Sequence, residues 1–113
     1  MKDYLFIIRG GDDTSHFSPE EMQSHMDEWG VWMGGLAQQG KLIGGEPLHK
    51  EARTITEKGH KVTDRPLAEG KELVGGYIIV KANTLDEATN MAKDCPGFQL
   101  NCSIEVREIM PLG

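Results

Sequence analysis

Residues 73–97 read LVGGYIIVKANTLDEATNMAKDCPG, and the parsing of this stretch decides the fold. Residues 73–82 are a dense run of aliphatic and aromatic side chains, the pattern of a strongly apolar strand. Two positions later Thr84 stands three residues before Glu87, the reciprocal pair that satisfies free N–H groups at a helix start. The helix predicted from there carries Leu85, Ala88, Ala92 and Cys95 on one face, and Pro96-Gly97 stop it. A strand therefore hands over almost directly to a helix.

The same unit opens the chain. Tyr4–Ile8 form an apolar strand ended by Gly10-Gly11, and a short loop leads to Ser18, Pro19 and Glu21. That is a second capping box, with proline at the first helical position where its missing N–H costs nothing. Met22, Met26, Trp29, Met33 and Leu36 recur on one helical stripe, with His25, Trp29 and Trp32 on a second beside it, and Gly40 closes the helix. Gly30, Gly34 and Gly35 each cost about 1 kcal/mol relative to alanine. They are expected where the helix lies close to the sheet or a ligand, or bends. Residues 41–49 give a short strand broken by Gly44-Gly45. Residues 52–56 and 61–63 give a hairpin about Lys58-Gly59. Residues 102–110 alternate as a last strand, with Ile104, Val106 and Ile109 inward and Glu105, Arg107 and Glu108 outward.

With the hairpin taken as an insertion the order is βαββαβ, an α+β ferredoxin-like arrangement in which two helices cover one face of an antiparallel sheet. The first strand is apolar on both faces, because Leu5 and Ile7 alternate with Tyr4, Phe6 and Ile8. No third helix exists to cover the second face. The economical solution is a second copy, two sheets face to face in a homodimeric α+β barrel.

Composition narrows the function classes. A chain of 113 residues is expected to be one domain. Its net charge of −6 and the absence of any Lys/Arg run argue against nucleic acid or an anionic membrane as partner. No run approaches the length of a membrane span, and the N-terminus lacks the apolar core of a secretion signal, so a cytoplasmic protein is expected. In that compartment Cys95 and Cys102 are expected as two free thiols. The four histidines show no metal-ligand spacing, so no metal is expected, and no dinucleotide or phosphate-loop fingerprint is present.

Three stretches, EWGVWMGGLAQQGKLIGGEPL (28–48), VTDRPLAEGKELVGGYIIVKANTLDEA (62–88) and AKDCPG with SIEVREI (92–97 and 103–109), together resemble the YCII-related superfamily in its DGPF-domain branch. The resemblance spans about residues 3–110 and implies a dimeric α+β barrel of ferredoxin-like protomers. Where that branch reads Asp-Gly-Pro-Phe, this chain has Asp64-Arg65-Pro66-Leu67. A long cation replaces the glycine and an aliphatic side chain replaces the aromatic. The resemblance also implies cofactor-independent chemistry on small polar or aromatic molecules, of lyase or isomerase type. The alternative it leaves open is a non-catalytic ligand-binding or regulatory accessory protein. A heme or oxygen enzyme on the same fold is a third reading.

The candidate site follows from the same residues. Asp64, beside the proline turn, is a candidate base or hydroxyl acceptor, or else a turn cap. His25 is the natural proton shuttle if Asp64 is near, or a histidine satisfied by a neighbour. Arg65, Glu69, Lys71, Tyr77 and Trp29 are the candidate substrate-binding residues of a pocket near residues 64–77. Each has a plainer reading, as solvated loop charge or as packing. Cys95 is a poor nucleophile, since it ends a helix whose dipole disfavours a thiolate.

Overall fold

The computed structural model describes residues 1–112. In chain order its regular elements are β1 (Lys2–Gly10), α1 (Pro19–Gln38), β2 (Leu42–Pro47), β3 (Thr54–Thr56), β4 (Lys61–Thr63), β5 (Val74–Ala82), α2 (Leu85–Lys93) and β6 (Cys102–Glu108), with short 3-10 turns at Glu57–Gly59, Gly70–Glu72 and Pro96–Leu100. The main sheet runs β2-β5-β1-β6 and is antiparallel throughout, while β3 and β4 pair only with each other. This is the ferredoxin-like topology with an inserted hairpin.

Period-two alternation in β1 sets the layers. Tyr4, Phe6 and Ile8 point to the helices and are buried with Ile78, Val80 and Ala82 of β5 and Ala88, Ala92 and Leu36 of the helices. Phe6, fully buried, stands in register between Ile78 and Val106 and stacks on Trp32 at a centroid distance of 6.4 Å. Burial of such a ring is worth about 2–3 kcal/mol. On the reverse face Leu5 pairs with Ile79 and Ile7 with Tyr77, all four only half-buried. Among the described residues no helix covers that side: they form a slab of 47 × 44 × 18 Å, one helix layer on one sheet. No helix among the described residues is long and apolar enough to cross a membrane.

The first helix starts with the full reciprocal pair expected, the second with half of it, because Glu87 accepts the N–H of Asn83 and not that of Thr84. Ser18 accepts the Glu21 N–H while Glu21 accepts the Ser18 N–H, and Thr84 accepts the Glu87 N–H. At the far end of α1, Gly40 is left-handed (φ +72°). The N–H groups of Gly40 and Lys41 fold back to the carbonyls of Ala37 and Leu36, closing a Schellman motif. Two expectations for the helix faces need correction. Met26 is 57% exposed and Leu85 52% exposed. The stripe that packs inward on α1 is Trp29, Trp32, Met33 and Leu36. Turned this way the helix packs two indoles and the Met33 thioether inward, and the Trp32 N–H reaches the Met91 carbonyl at 3.1 Å. Gly30, Gly34 and Gly35 have open space where a side chain would stand, so close packing does not explain them.

Close packing does govern Gly45. A Cβ there would sit 2.6 Å from the Tyr77 carbonyl oxygen and 2.9 Å from Ile78, whereas one on Gly44 would meet nothing. Gly45→Ala should therefore cost about 1–3 kcal/mol in urea unfolding, as overpacking does. Gly44→Ala should cost well under 1 kcal/mol.

Cys95 and Cys102 are free thiols, and Cys95 is buried beside the core. Loss of hydration pushes the Cys95 thiol up to about 11, opposed by the Gly97 N–H that its sulfur accepts and helped by Cys102 nearby. The folded chain thus holds this proton more tightly than the unfolded one. The resulting stability is complete below about pH 9 and is lost as pH rises toward about 11. At pH 8, Cys95 should alkylate about 100-fold more slowly than a free cysteine, from its thiolate fraction alone. Peptide mapping after iodoacetamide treatment checks this.

Candidate functional site

In this topology the loop after β1, the loop after β2 and the turn before β5 meet at one end of the sheet. They enclose a cavity of about 530 Å³ lined by residues 10–14, 48–50, 70–71 and 73–75. That volume lies within the range of small-molecule sites. Leu48, Leu73 and Val74 form its apolar wall, and Asp12, Asp13, His49, Lys50 and Lys71 supply the polar groups.

Backbone contacts fix the shape. Gly10 (φ +69°) donates its N–H to the Leu73 carbonyl, and a Cβ there would lie 2.7 Å from the Lys71 carbonyl oxygen. Only glycine lets β1 end so close to the turn that carries Lys71. Arg9 holds that turn from the other side, donating to the Glu72 carbonyl at 3.0 Å while pairing with Glu105 at 3.6 Å. On the opposite wall the Leu48 N–H donates to Gly75, which sets the start of the His49-Lys50 segment.

The two aspartates are held differently. Asp13 accepts the backbone N–H and the hydroxyl of Ser15. These bonds hold its carboxyl below the usual value, with His16 and Lys50 adding their charge. Asp12 accepts from the Asn101 side-chain amide on one oxygen, leaving the other for a ligand hydroxyl. Neither Lys50 nor Lys71 is in an ion pair among the described residues. Two ammonium groups, an imidazole and an available carboxylate oxygen can bind an anionic or hydroxylated molecule, and can move a proton on it. Among the described residues no group of three or more His, Cys, Asp or Glu side chains is placed to hold a metal ion. A second recess, between α1 and residues 94–99, is an open groove whose charged groups are the carboxylates of Asp27, Glu28 and Asp94.

Of the residues singled out from sequence, Lys71 lines the cavity. Glu69 precedes the turn and pairs with Arg65 at 3.8 Å. Asp64 is 83% exposed at the base of the hairpin and pairs with Arg53 at 3.3 Å, while the Arg65 carbonyl accepts the Thr54 hydroxyl. Tyr77 stands on the open sheet face between Ile7 and Glu46. His25 accepts the Trp29 indole N–H on Nε2 at 2.9 Å, and Trp29 packs over Gly97. Asp64 and His25 are thus engaged by different partners on different elements. Asp12, Asp13, His49 and Lys50 escaped the sequence reading. Their signal was topological: GGDD follows one strand and LHK another, and both strands end beside the start of β5.

The sequence has no significant match among curated proteins. Among solved structures, the chain is similar to 5-chloro-2-hydroxyhydroquinone dehydrochlorinase from Burkholderia phenoliruptrix AC1100, in complex with 2,5-dihydroxybenzoquinone. Identity is 20% over 94% of this chain and 93% of the other, with a TM-score of 0.47. The YCII-related domain pattern matches residues 3–113. With that match extending over both helices, the whole sheet and the cavity loops, the chain belongs to the YCII-related domain family.

Proposed function

We propose that this YCII-domain protein, of the DGPF type, is a cytoplasmic homodimer that turns over a small polar or aromatic molecule by acid/base chemistry without a cofactor, in a lyase- or isomerase-like role. The observation that carries this reading is the cavity at the sheet end, where Lys71 and Lys50 stand beside His49 and Asp12 and neither lysine is in an ion pair among the described residues. In that arrangement His49 takes or returns a proton, the lysines stabilise the enolate or phenolate charge that develops, and Asp12 orients a ligand hydroxyl. Asp64 and His25 are the competing placement of the acid/base work. To serve there, Asp64 must leave Arg53 and His25 must release the Trp29 indole. A second reading, ligand binding without turnover, is favoured by the position of His49 and Lys50 on an exposed irregular segment, a less exact support than a strand.

The experiment is a thermal-shift screen of phenols, hydroxylated aromatics and small organic acids on the native protein, Lys71→Met, His49→Gln and Asp64→Asn. A ligand at about 100 times its Kd adds about 2.7 kcal/mol, a shift on the order of 10 °C for a domain of this size. The expected result is a stabiliser whose effect falls by more than half in Lys71→Met and persists in Asp64→Asn. The reverse pattern would move the site to the hairpin base. With the stabiliser as substrate, turnover that drops about 10²–10⁴-fold in His49→Gln supports the enzyme. Binding with no turnover in the native protein supports the accessory reading.

A further inference from the structure

The inserted hairpin is the part of the chain that its own fold leaves unexplained. Strands β3 and β4 have three residues each, and the packing of this hairpin is almost entirely internal. Ile55 and Val62 face one another across the ladder, yet are 65% and 59% exposed, and Leu67 beyond them is 80% exposed. What fastens the base is the Arg53–Asp64 ion pair, the Arg65–Glu69 pair and the Thr54 hydroxyl on the Arg65 carbonyl. Such exposed pairs contribute about 0–1 kcal/mol each, and an isolated two-stranded hairpin is at best marginally stable in water. A branched aliphatic pair on so weak a support needs a surface to lie on.

We infer that the surface is a second copy of this chain, and that the two hairpins of the dimer are arms, each laying Ile55 and Val62 against the partner. The inference rests on the sheet-to-sheet dimer proposed above and adds to its interface. Two observations choose this occupant. First, the open sheet face is small: four strands about 4.8 Å apart and about seven residues long give a footprint of roughly 450 Å². Its apolar centre is Leu5, Ile7, Tyr77 and Ile79, ringed by Arg9, Glu105 and Arg107. A stable dimer takes about 800 Å² from each partner, and even with its relief the face falls short without a further element. Second, the hairpin is inserted between β2, an edge strand of the sheet, and β5 beside it, so it leaves the sheet at that edge. In a two-fold contact both copies offer the same surfaces, so a single association covers the open face and the arm of each chain together.

The test is light scattering coupled to gel filtration over a dilution series of the full chain. The variants are Ile55→Asp, Val62→Asp and Ile7→Asp, with near-ultraviolet circular dichroism to show that each is folded. The native chain should be a dimer, and Ile7→Asp should break it. Either hairpin variant should raise the dissociation constant at least tenfold, the cost of placing a charge in an apolar contact. A native dimer whose affinity is unchanged in both hairpin variants would overturn the arms and leave the sheet-to-sheet dimer standing, whereas a monomeric native chain would overturn both. Hydrogen exchange provides a readout that needs no mutation. Amides of residues 54–63 should be protected above the dissociation constant and lose protection at least tenfold below it. Equal protection at both concentrations would refute the arms.

Discussion

Everything in this molecule hangs on β1 being apolar on both faces while the chain has helices for only one. Phe6 at the centre of the strand is held between Ile78 and Val106 and under Trp32. That one position ties together the second strand–helix unit, the last strand and the first helix. The other face of the same strand has no such cover, because two helices span a four-stranded sheet once and not twice. The requirement that creates the core on one side thus leaves Ile7 and Ile79 half-exposed on the other.

Features that depend on neighbours in sequence were legible from the residues. The capping box at Ser18, the side-chain cap at Thr84, the glycine stop at Gly40 and the alternation in β1 each act within a few residues, so the amino acids alone specify them. Legibility failed where tertiary contact decided. The stripe of methionines and the stripe of tryptophans on α1 have the same period. The inward face takes Trp29, Met33 and Leu36 from the first and Trp32, which reaches the Met91 carbonyl, from the second, and it leaves Met26 outside. Leu85 shows the same limit, since a residue in the first turn lies beyond the end of the face it formally belongs to.

The candidate site was legible in part, for a reason of the same kind. Within the segment 64–77, the middle lines the cavity through Gly70, Lys71 and residues 73–75. Its charges at 64, 65 and 69 are engaged elsewhere, Asp64 with Arg53 across the hairpin base and Arg65 with Glu69 four residues on. The other walls come from residues some 25 to 60 positions away, brought in only by strand order. Reading them requires tracing which strand ends share an edge, beyond reading which residues look reactive.

The way Gly10 sits against the Lys71 backbone has a consequence for divergence. The three loops of the cavity are separate in sequence and are joined through backbone hydrogen bonds, Gly10 to Leu73 and Leu48 to Gly75, while Asp12 is tied to Leu100 in the turn before β6. Bonds between main chains are indifferent to the side chains they carry. Descendants of one ancestor can therefore exchange Asp12, His49 or Lys71 for other chemistry one at a time, without disturbing the frame. Position 10 is the exception, since any larger residue would push the wall outward. A scaffold with this division of labour can keep its shape while its chemical appetite drifts.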